Sequence, residues 1–308
     1  MCKLLGIVEI GNQKDAELFA RAAIPIVTKS DNHGLGIMRL GERGVYVQRW
    51  LNPETATRRM EDPIMAKYNA AVTRQHNSAG VPSKRLDALA IHGRFATCER
   101  TLANVHPFVR EGTALMHNGV INNSYAYETV VSTCDSEALL TQYLKHGVWQ
   151  ANGNLSDALH GVEGYQAAIV FNDTGVIDIW RDAMATLYIA RVKHVGVVLA
   201  TTPAIIQTTA KRCGLRVSGL DEIMPMTHIR WQRGRNPVIS TFRCDQPART
   251  YDSRSAAEII QRHQANVSDA QSLDADTPWY LRDGKVSEDD EPDYPVHLYD
   301  TRQRGVLK

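Results

Sequence analysis

The sequence predicts a layered domain of the α/β or α+β class. Two observations support this fold class. Strand-like apolar runs separated by Gly-containing turns are numerous, whereas long helical segments are few. The two kinds of segment also do not alternate along the chain as they would in a doubly wound sheet. We therefore expect a layered domain rather than a doubly wound one.

The predicted elements follow from hydrophobic spacing. Residues 4–10 form a short apolar run typical of a buried strand, and a hairpin is expected around Gly41 to Gly44. Later strand-like runs include LDALAIHGRFA, GTALMHNGV, YQAAIVFND, GVIDIWRD, TLYIARV and VGVVLATT. Helices are predicted at 16–26, 54–78, 136–146 and 203–212.

Charge and cysteine usage exclude several classes of protein. The chain of 308 residues has 35 Lys+Arg and 34 Asp+Glu, so charge predicts no direct binding to nucleic acid or to an anionic membrane. Five scattered cysteines without a CxxC pair do not indicate a disulfide framework. The apolar runs fall short of the roughly 18 to 20 residues of a membrane span, and the first residues do not resemble a signal peptide. A cytoplasmic location is expected.

Composition changes after about residue 235. Residues 253–263 are compatible with one helix, whereas 269–293 hold nine acidic and two basic residues. We therefore predict a folded domain over residues 2–235. Residues 236–308 are predicted to form a polar extension that is partly helical and ends in an acidic tail.

The position of Cys2, directly after Met1, suggests a chemical role. Cysteine is small enough that removal of Met1 is expected, which leaves a thiol and a free α-amine on one residue. Their reference pKa values are about 8.5 and about 7.7 to 8. The amine can then act, through a water molecule, as the base for its own thiol. A cysteine at this position is more often incidental, so the hypothesis needs partner residues.

Four further motifs supply such partners: His92-Gly93-Arg94-Phe95-Ala96-Thr97, Asn104-Val105-His106-Pro107-Phe108, Leu115–Asn123 and Asp135-Ser136-Glu137. Together with Cys2 they resemble the glutaminase domain of the class II glutamine amidotransferases, which are N-terminal-nucleophile hydrolases. The resemblance covers residues 2–235. It implies an α+β fold, a four-layer αββα sandwich, with the polar, acidic C-terminal extension outside it.

The resemblance also implies substrate-binding residues. Arg94 matches the arginine that holds the α-carboxylate of glutamine, a task suited to a bidentate guanidinium. Asp135 matches the carboxylate that pairs with the α-ammonium group. Thr97 and His106 are expected to lie beside the substrate.

Three residues are implied to be catalytic. Cys2 would attack the side-chain amide carbon of glutamine. The resulting oxyanion would lie between the Asn118 side-chain amide and the Gly119 backbone N–H. Ammonia would leave, and water would hydrolyse the thioester to glutamate.

Structural alternatives exist for each residue taken alone. Asn118-Gly119 between apolar runs is a strong hairpin signal, and Asp135 before a helical run is compatible with an N-cap. Arg94 is compatible with a structural ion pair. His92 and His117 are expected to be hydrogen-bonded core residues rather than ligands.

No cofactor and no metal ion are expected. Cys98, Cys134, His92 and His106 together lack the regular spacing of a metal site. The expected ligand is L-glutamine, and the residues after 235 contain no phosphate loop, so a separate ammonia-accepting synthase is the expected partner. Two alternatives stay open: an N-terminal-nucleophile amidohydrolase for another amide, and a non-catalytic relative that binds a partner.

Overall fold

The computed structural model describes residues 2–29, 33–51, 85–96, 98–129 and 131–244. In chain order the elements are β1 (Lys3–Val8), α1 (Gln13–Val27), β2 (Leu35–Gly41), β3 (Gly44–Trp50), β4 (Leu86–Gly93), β5 (Phe108–Arg110), β6 (Thr113–Ile121), α2 (Asp135–Lys145), α3 (Leu155–Leu159), β7 (Gly164–Asn172), β8 (Val176–Arg181), β9 (Tyr188–Val192), β10 (Gly196–Ala200), α4 (Pro203–Cys213), β11 (Val217–Glu222), β12 (Thr227–Gln232) and β13 (Val238–Thr241). Two 3₁₀ helices, Leu102–Asn104 and Ser124–Ala126, lie in the connections.

The strands form two antiparallel sheets. A seven-stranded sheet has the order β11-β9-β10-β1-β4-β2-β3, and a six-stranded sheet has the order β13-β12-β8-β7-β6-β5. Every neighbouring pair in both sheets is antiparallel. The mixed α/β composition predicted from the sequence is confirmed, as is the absence of a doubly wound sheet in the described part of the chain.

Strand β1 lies inside the seven-stranded sheet, and both of its faces are covered. Leu4 belongs to an apolar cluster that includes Met116 of the other sheet. Leu5, on the opposite face, belongs to a cluster with Phe19 of α1 and Ile206 of α4. Successive side chains of a strand point to opposite faces, so one apolar run of β1 contributes to two cores.

A third apolar cluster covers the six-stranded sheet on its other side. It joins Leu139 and Tyr143 of α2 and Leu155 of α3 to Leu115 of β6 and Val170 of β7. Each sheet therefore packs against helices with one face and shares the first cluster with the other sheet through its second face.

Local signals explain where the helices begin and end. The side chain of Asn12 accepts hydrogen bonds from the backbone N–H groups of Lys14 and Asp15 and caps α1. Helix α4 has Pro203 in its first turn and ends at Gly214, whose φ of 66° lies in the left-handed region. Among the described residues, no helix combines the length and apolarity needed to cross a membrane.

Several predicted elements are confirmed with small changes of boundary. The helices predicted at 16–26, 136–146 and 203–212 correspond to α1, α2 and α4, and the hairpin at Gly41 to Gly44 joins β2 to β3. Strand β13 pairs with β12, so the six-stranded sheet continues past position 235. The predictions for 54–78, 253–263 and 269–293 fall on residues outside the described ranges, and the division into 2–235 and 236–308 stays a prediction.

Candidate active site

A cavity of about 150 Å³ lies beside Cys2, where the two sheets meet the start of α2. Its walls are formed by Cys2, Arg94, Phe95, His106, His117, Asn118, Gly119, Val120, Cys134, Asp135, Ser136 and Tyr165. The structure thus brings together six of the seven residues predicted for the site. The seventh, Thr97, lies outside the described residues.

Cys2 is positioned by the pairing of β1 with β4. Lys3 is opposite Gly93 in this pair, so the residues just before β1 and just after β4 are adjacent. The Phe95 N–H donates to Cys2 Sγ at 3.2 Å, and the thiol faces the Phe95 carbonyl at 3.4 Å. Gly93 is required here, because a Cβ at this position would lie 2.2 Å from the Val27 carbonyl oxygen.

The environment of Cys2 favours the protonated thiol. Burial raises the pKa of Cys2, and the negative charge of Asp135 acts in the same direction. The hydrogen bond from Phe95 and the positive charge of Arg94 oppose this shift without cancelling it. The thiol is therefore protonated at neutral pH and needs a base before it can attack.

Arg94 is a buried cation, and its two terminal guanidinium nitrogens differ in their hydrogen bonds. It is 2% exposed. Its Nη2 donates to the carbonyls of Cys98 and Glu99 at 3.3 and 3.1 Å and to Cys98 Sγ at 3.2 Å. Its Nη1 is buried and has no hydrogen-bond partner among the described residues. Within the described ranges no carboxylate pairs with this guanidinium, so the contacts do not support the ion-pair alternative. A buried donor of this kind suits an anionic ligand.

Asp135 is held beside the cavity by the neighbouring strand. It is the first residue of α2, whose N-cap is Cys134. Asp135 Oδ2 accepts the Ile121 N–H of β6 at 2.7 Å, and Oδ1 faces the Cys134 thiol and the Ser136 hydroxyl at 3.4 Å each. The N-cap alternative for Asp135 is therefore wrong, because Cys134 is the N-cap of α2 and the Asp135 carboxylate accepts a backbone N–H from β6.

Asn118 and Gly119 lie within β6 and not in a turn. They pair with Ala167 and Gln166 of β7, so the hairpin alternative is also wrong. The Asn118 Oδ1 is buried without a partner in the described part of the chain. A Cβ on Gly119 would lie 1.9 Å from the Tyr165 carbonyl oxygen, which excludes any larger residue.

The direction of the Gly119 N–H follows from its neighbours on β6. The Asn122 N–H points towards the β7 side, where it donates to Glu163, whereas the Ile121 N–H points the other way, to Asp135. Backbone groups alternate between the two edges of a strand, so the Gly119 N–H points to the Asp135 edge. Strand β5 pairs with Thr113 to Leu115 of β6, and no strand of the described ranges covers this edge at Gly119.

Three buried histidines surround the same region. The rings of His92 and His106 lie 4.0 Å apart, and both nitrogens of His106 lack a partner among the described residues. His92 Nε2 is 3.1 Å from the His117 carbonyl oxygen, and His117 Nδ1 is 2.9 Å from Ser136 Oγ. Burial lowers the pKa of His92 to about 3 and lowers those of His106 and His117. All three are therefore neutral at pH 7.

Comparison with solved structures identifies the fold. Glutamine phosphoribosylpyrophosphate amidotransferase from B. subtilis, complexed with ADP and GMP, aligns with a TM-score of 0.55 and 16% identity over 79% of this chain and 50% of that one. A structure of the allosteric regulatory enzyme of purine biosynthesis aligns with a TM-score of 0.56 and 15% identity over 80% and 50%. This chain has the fold of the glutamine amidotransferases.

The chain spans about half the length of those two structures. A glutamine aminotransferase class-II domain protein from Silicibacter pomeroyi aligns over its whole length and 79% of this chain, at a TM-score of 0.42 and 13% identity. No protein-family model matches the sequence, and no curated protein matches it either.

Three residues of the cavity wall, His117, Tyr165 and Ser136, were not predicted from the sequence as site residues. His117 was expected to be a core residue, yet it is both buried and part of the cavity wall. Its position next to Asn118 was the available signal. Tyr165 and Ser136 reach the cavity from β7 and α2. Among the described residues, no three His, Cys, Asp or Glu side chains form a metal-binding group.

The arrangement suits recognition of a zwitterion next to a nucleophile. One small cavity contains the Arg94 guanidinium, the Asp135 carboxylate and the Cys2 thiol. Arg94 Nη1 has no hydrogen-bond partner among the described residues. A backbone N–H at an open strand edge and a side-chain amide lie on a further wall. These groups have the chemistry for acyl transfer from an amide of an α-amino acid.

Proposed function

We propose that the protein hydrolyses the side-chain amide of L-glutamine to glutamate and ammonia, as a class II glutamine amidotransferase of the N-terminal-nucleophile type. The observation that carries this proposal is the shared cavity of Cys2, Arg94 and Asp135, in which Arg94 Nη1 has no partner in the described part of the chain. The two sheets packed face to face with helices on their outer faces support a four-layer αββα sandwich. The polar, acidic residues after 235 are proposed to form an extension outside it.

In this proposal, Arg94 and Asp135 bind the two charged ends of glutamine. The unfilled Nη1 of Arg94 takes the α-carboxylate, while Nη2 stays on the carbonyls of Cys98 and Glu99. Asp135 takes the α-ammonium group with an oxygen that is not committed to Ile121. His106 offers uncharged nitrogens to the bound ligand, and Thr97 is proposed to lie beside it.

Cys2 is proposed as the nucleophile after removal of Met1. The thiol loses its proton as it attacks, and the free α-amine of Cys2 receives that proton through a water molecule. The S–C bond forms as the carbonyl π electrons move onto oxygen. The Asn118 side chain and the Gly119 N–H stabilise this oxyanion.

The tetrahedral intermediate then collapses to a thioester. The C–N bond breaks, and the nitrogen takes a proton from the α-ammonium group of Cys2 and leaves as ammonia. Water adds to the thioester through the same oxyanion site and releases glutamate and the Cys2 thiol. We propose that the ammonia is passed to a separate synthase.

The decisive experiment uses the processed protein, with Met1 removal checked by intact mass. L-Glutamine hydrolysis should be measurable with the native sequence and absent with Cys2→Ala. The matched control is Cys213→Ala, since Cys213 is also a free, partly buried thiol but lies on α4 and does not line the cavity. A rate for Cys2→Ala equal to the wild-type rate would overturn the proposal.

Labelling separates the non-catalytic alternative from the enzyme. Incubation with 6-diazo-5-oxo-L-norleucine should add one adduct to the processed wild type, and peptide mapping should place it on Cys2. Retention of Met1 together with no adduct would support a non-catalytic protein that binds a partner.

Substrate profiling separates glutamine from another amide. Because the site holds one cation and one anion for the α-groups, N-acetylglutamine and glutaramic acid should each lose at least about 100-fold in kcat/KM relative to L-glutamine. Equal rates for these compounds would favour an amidohydrolase with a different amide substrate.

A further inference from the structure

One buried side chain outside the cavity wall ties together the two loops that carry Arg94 and Asp135. Asn104 is 1% exposed and ends a short 3₁₀ helix. Its Nδ2 donates to the Glu99 carbonyl and to Thr133 Oγ1, both at 2.9 Å. Its Oδ1 accepts the Thr133 N–H at 3.0 Å. Every hydrogen-bonding atom of this amide is therefore used to join two loops.

The first loop positions the arginine. The Glu99 carbonyl that accepts from Asn104 also accepts from Arg94 Nη2, at 3.1 Å. The neighbouring carbonyl of Cys98 accepts from the same nitrogen at 3.3 Å. Asn104 and Arg94 therefore share one backbone acceptor, so a displacement of Glu99 would disturb a hydrogen bond that holds the guanidinium.

The second loop positions the carboxylate. Thr133 precedes Asp135 by two residues. Its side chain is exposed to solvent, and its hydroxyl and backbone N–H both bond to Asn104. Asp135 is fixed on its other side by the Ile121 N–H. The loop before α2 is thus anchored at β6 by Asp135 and at the arginine loop by Asn104.

We propose that Asn104 is a positioning residue that sets the separation between Arg94 and Asp135 and thereby the selectivity for a free α-amino acid. This inference rests on the proposed function, in which those two side chains hold the α-carboxylate and the α-ammonium group. Two fixed charges select a zwitterion only if their spacing matches that of its charged groups. Loosening such a site by about 1 Å is enough to impair binding. Asn104 does not line the cavity, so it acts only through the groups that it holds.

The chain offers a closely matched control in Asn172. This buried asparagine also donates from Nδ2 to a threonine hydroxyl, Thr113 Oγ1 at 2.7 Å, and its Oδ1 accepts the Thr174 N–H at 2.9 Å. It lies at the end of β7 and does not line the cavity. Asn172→Ala therefore removes the same kinds of hydrogen bond without touching the two loops.

The experiment compares Asn104→Ala, Thr133→Val and Asn172→Ala. For Asn104→Ala we expect KM for L-glutamine to rise about tenfold and kcat to stay within about threefold, because the chemistry at Cys2 is retained. The preference for L-glutamine over glutaramic acid should fall by a similar factor. Thr133→Val keeps the backbone bond and an exposed position, so it should fold and show a smaller rise in KM. Asn172→Ala should lower the melting temperature without changing KM or the preference.

Calorimetric binding of L-glutamine to the Cys2→Ala protein separates the two hypotheses. Binding that is weakened about tenfold by Asn104→Ala and unchanged by Asn172→Ala supports the positioning role. Equal affinity for the Asn104 and Thr133 variants and their parent would overturn that role while leaving the proposed function intact. If the Cys2→Ala protein binds no glutamine and the processed wild type hydrolyses none, the proposed function falls and the inference falls with it.

Discussion

Two polar clusters in this protein each contain an arginine and a buried histidine but differ in how their hydrogen bonds are met. The Asp178 cluster consists of Asp178, Tyr143, His228 and Arg230, on α2, β8 and β12. Asp178 is fully buried, and its two oxygens face Tyr143 Oη at 2.5 Å, His228 Nε2 at 2.8 Å, and Arg230 at 2.7 and 2.8 Å. The other Arg230 contacts go to two backbone carbonyls. Each charge is therefore compensated inside the fold.

The cavity cluster, formed by Arg94, His106 and Asn118, leaves its hydrogen bonds open. Arg94 Nη1, Asn118 Oδ1 and both His106 nitrogens have no partner among the described residues. An unmet buried polar group costs stability, and here all of these groups border one cavity. Each cluster contains an arginine and a buried histidine, so the open hydrogen bonds are what mark a ligand site. The Asp178 cluster should respond to substitution in stability, and the cavity cluster in activity.

The largest expected effect is on the stability contributed by Asp178. Asp178→Asn leaves Arg230 without its carboxylate and should cost about 3 to 5 kcal/mol in the free energy of unfolding. Glutamine kcat/KM should stay within about threefold, because no member of the Asp178 cluster lines the cavity. Urea unfolding and a glutaminase assay measure the two quantities. A loss of glutaminase activity at an unchanged free energy of unfolding would contradict a structural role for the Asp178 cluster.

The same substitution should change the response to acid. Burial raises the pKa of Asp178, but hydrogen bonds from His228 and Arg230 outweigh burial and leave the pKa lowered. A carboxyl whose folded pKa is below its unfolded value of about 3.9 stabilises the protein above that pH and loses this contribution as the pH falls further. The stability difference between wild type and Asp178→Asn should therefore shrink from pH 7 to pH 3.5.

The next effect is on the rate through Asn118. Asn118→Ala removes one proposed oxyanion donor and should lower kcat about 100- to 1000-fold, with a small change in KM. Its melting temperature should not fall, since Oδ1 has no hydrogen bond to lose. Asn172→Ala provides the contrast, because its amide is bonded to Thr113 and Thr174. Equal destabilisation by the two substitutions would show that Asn118 stabilises the fold as Asn172 does.

Lysine substitutions compare the two arginines directly. Arg94→Lys keeps the charge but loses the fork that holds Nη2 on the loop and presents Nη1 to the cavity. We expect KM for glutamine to rise about 10- to 100-fold with little change in kcat. Arg230→Lys should instead lower the free energy of unfolding and leave KM unchanged. Steady-state kinetics and urea unfolding of both variants test the contrast, and a rise in KM for Arg230→Lys would contradict it.

The cavity cluster was largely predictable from sequence, and the Asp178 cluster was not. Cys2, Arg94, Asn118 and Asp135 stand in short motifs whose order carried the prediction, and spacing alone predicted α1, α2 and α4. The contacts of Asp178 join residues 35 to 52 positions apart, and none of them has a local signal. Pairing between distant elements decides such contacts, and single-sequence periodicity does not contain that information.

Asn104 shows the same limit within a recognised motif. Its place in Asn-Val-His-Pro-Phe indicated a loop, but the partners that define its role are Glu99 and Thr133, the latter 29 positions away. The hairpin alternative for Asn118-Gly119 was wrong for a related reason. Residues 113 to 121 continue as one strand because β7 pairs with the whole segment, and that pairing outweighs the local turn preference.

The smallest expected effect is on the pH dependence of the free energy of unfolding, through the buried histidines beside the cavity. Burial lowers the pKa of His92, which packs on His106, to about 3. Because the unfolded value is about 6.5, the neutral ring contributes stability above that pH and loses it as the pH falls towards 3. Asp178 changes only below about pH 4, so the interval from 6.5 to 4.5 reports on the buried histidines beside the cavity. His92→Gln should reduce the pH slope of the free energy of unfolding in this interval by up to about 1.4 kcal/mol per pH unit.

The exposed His146, replaced by glutamine in the same way, serves as the control. If His92→Gln and His146→Gln leave the same slope, the neutral, buried state of His92 is wrong.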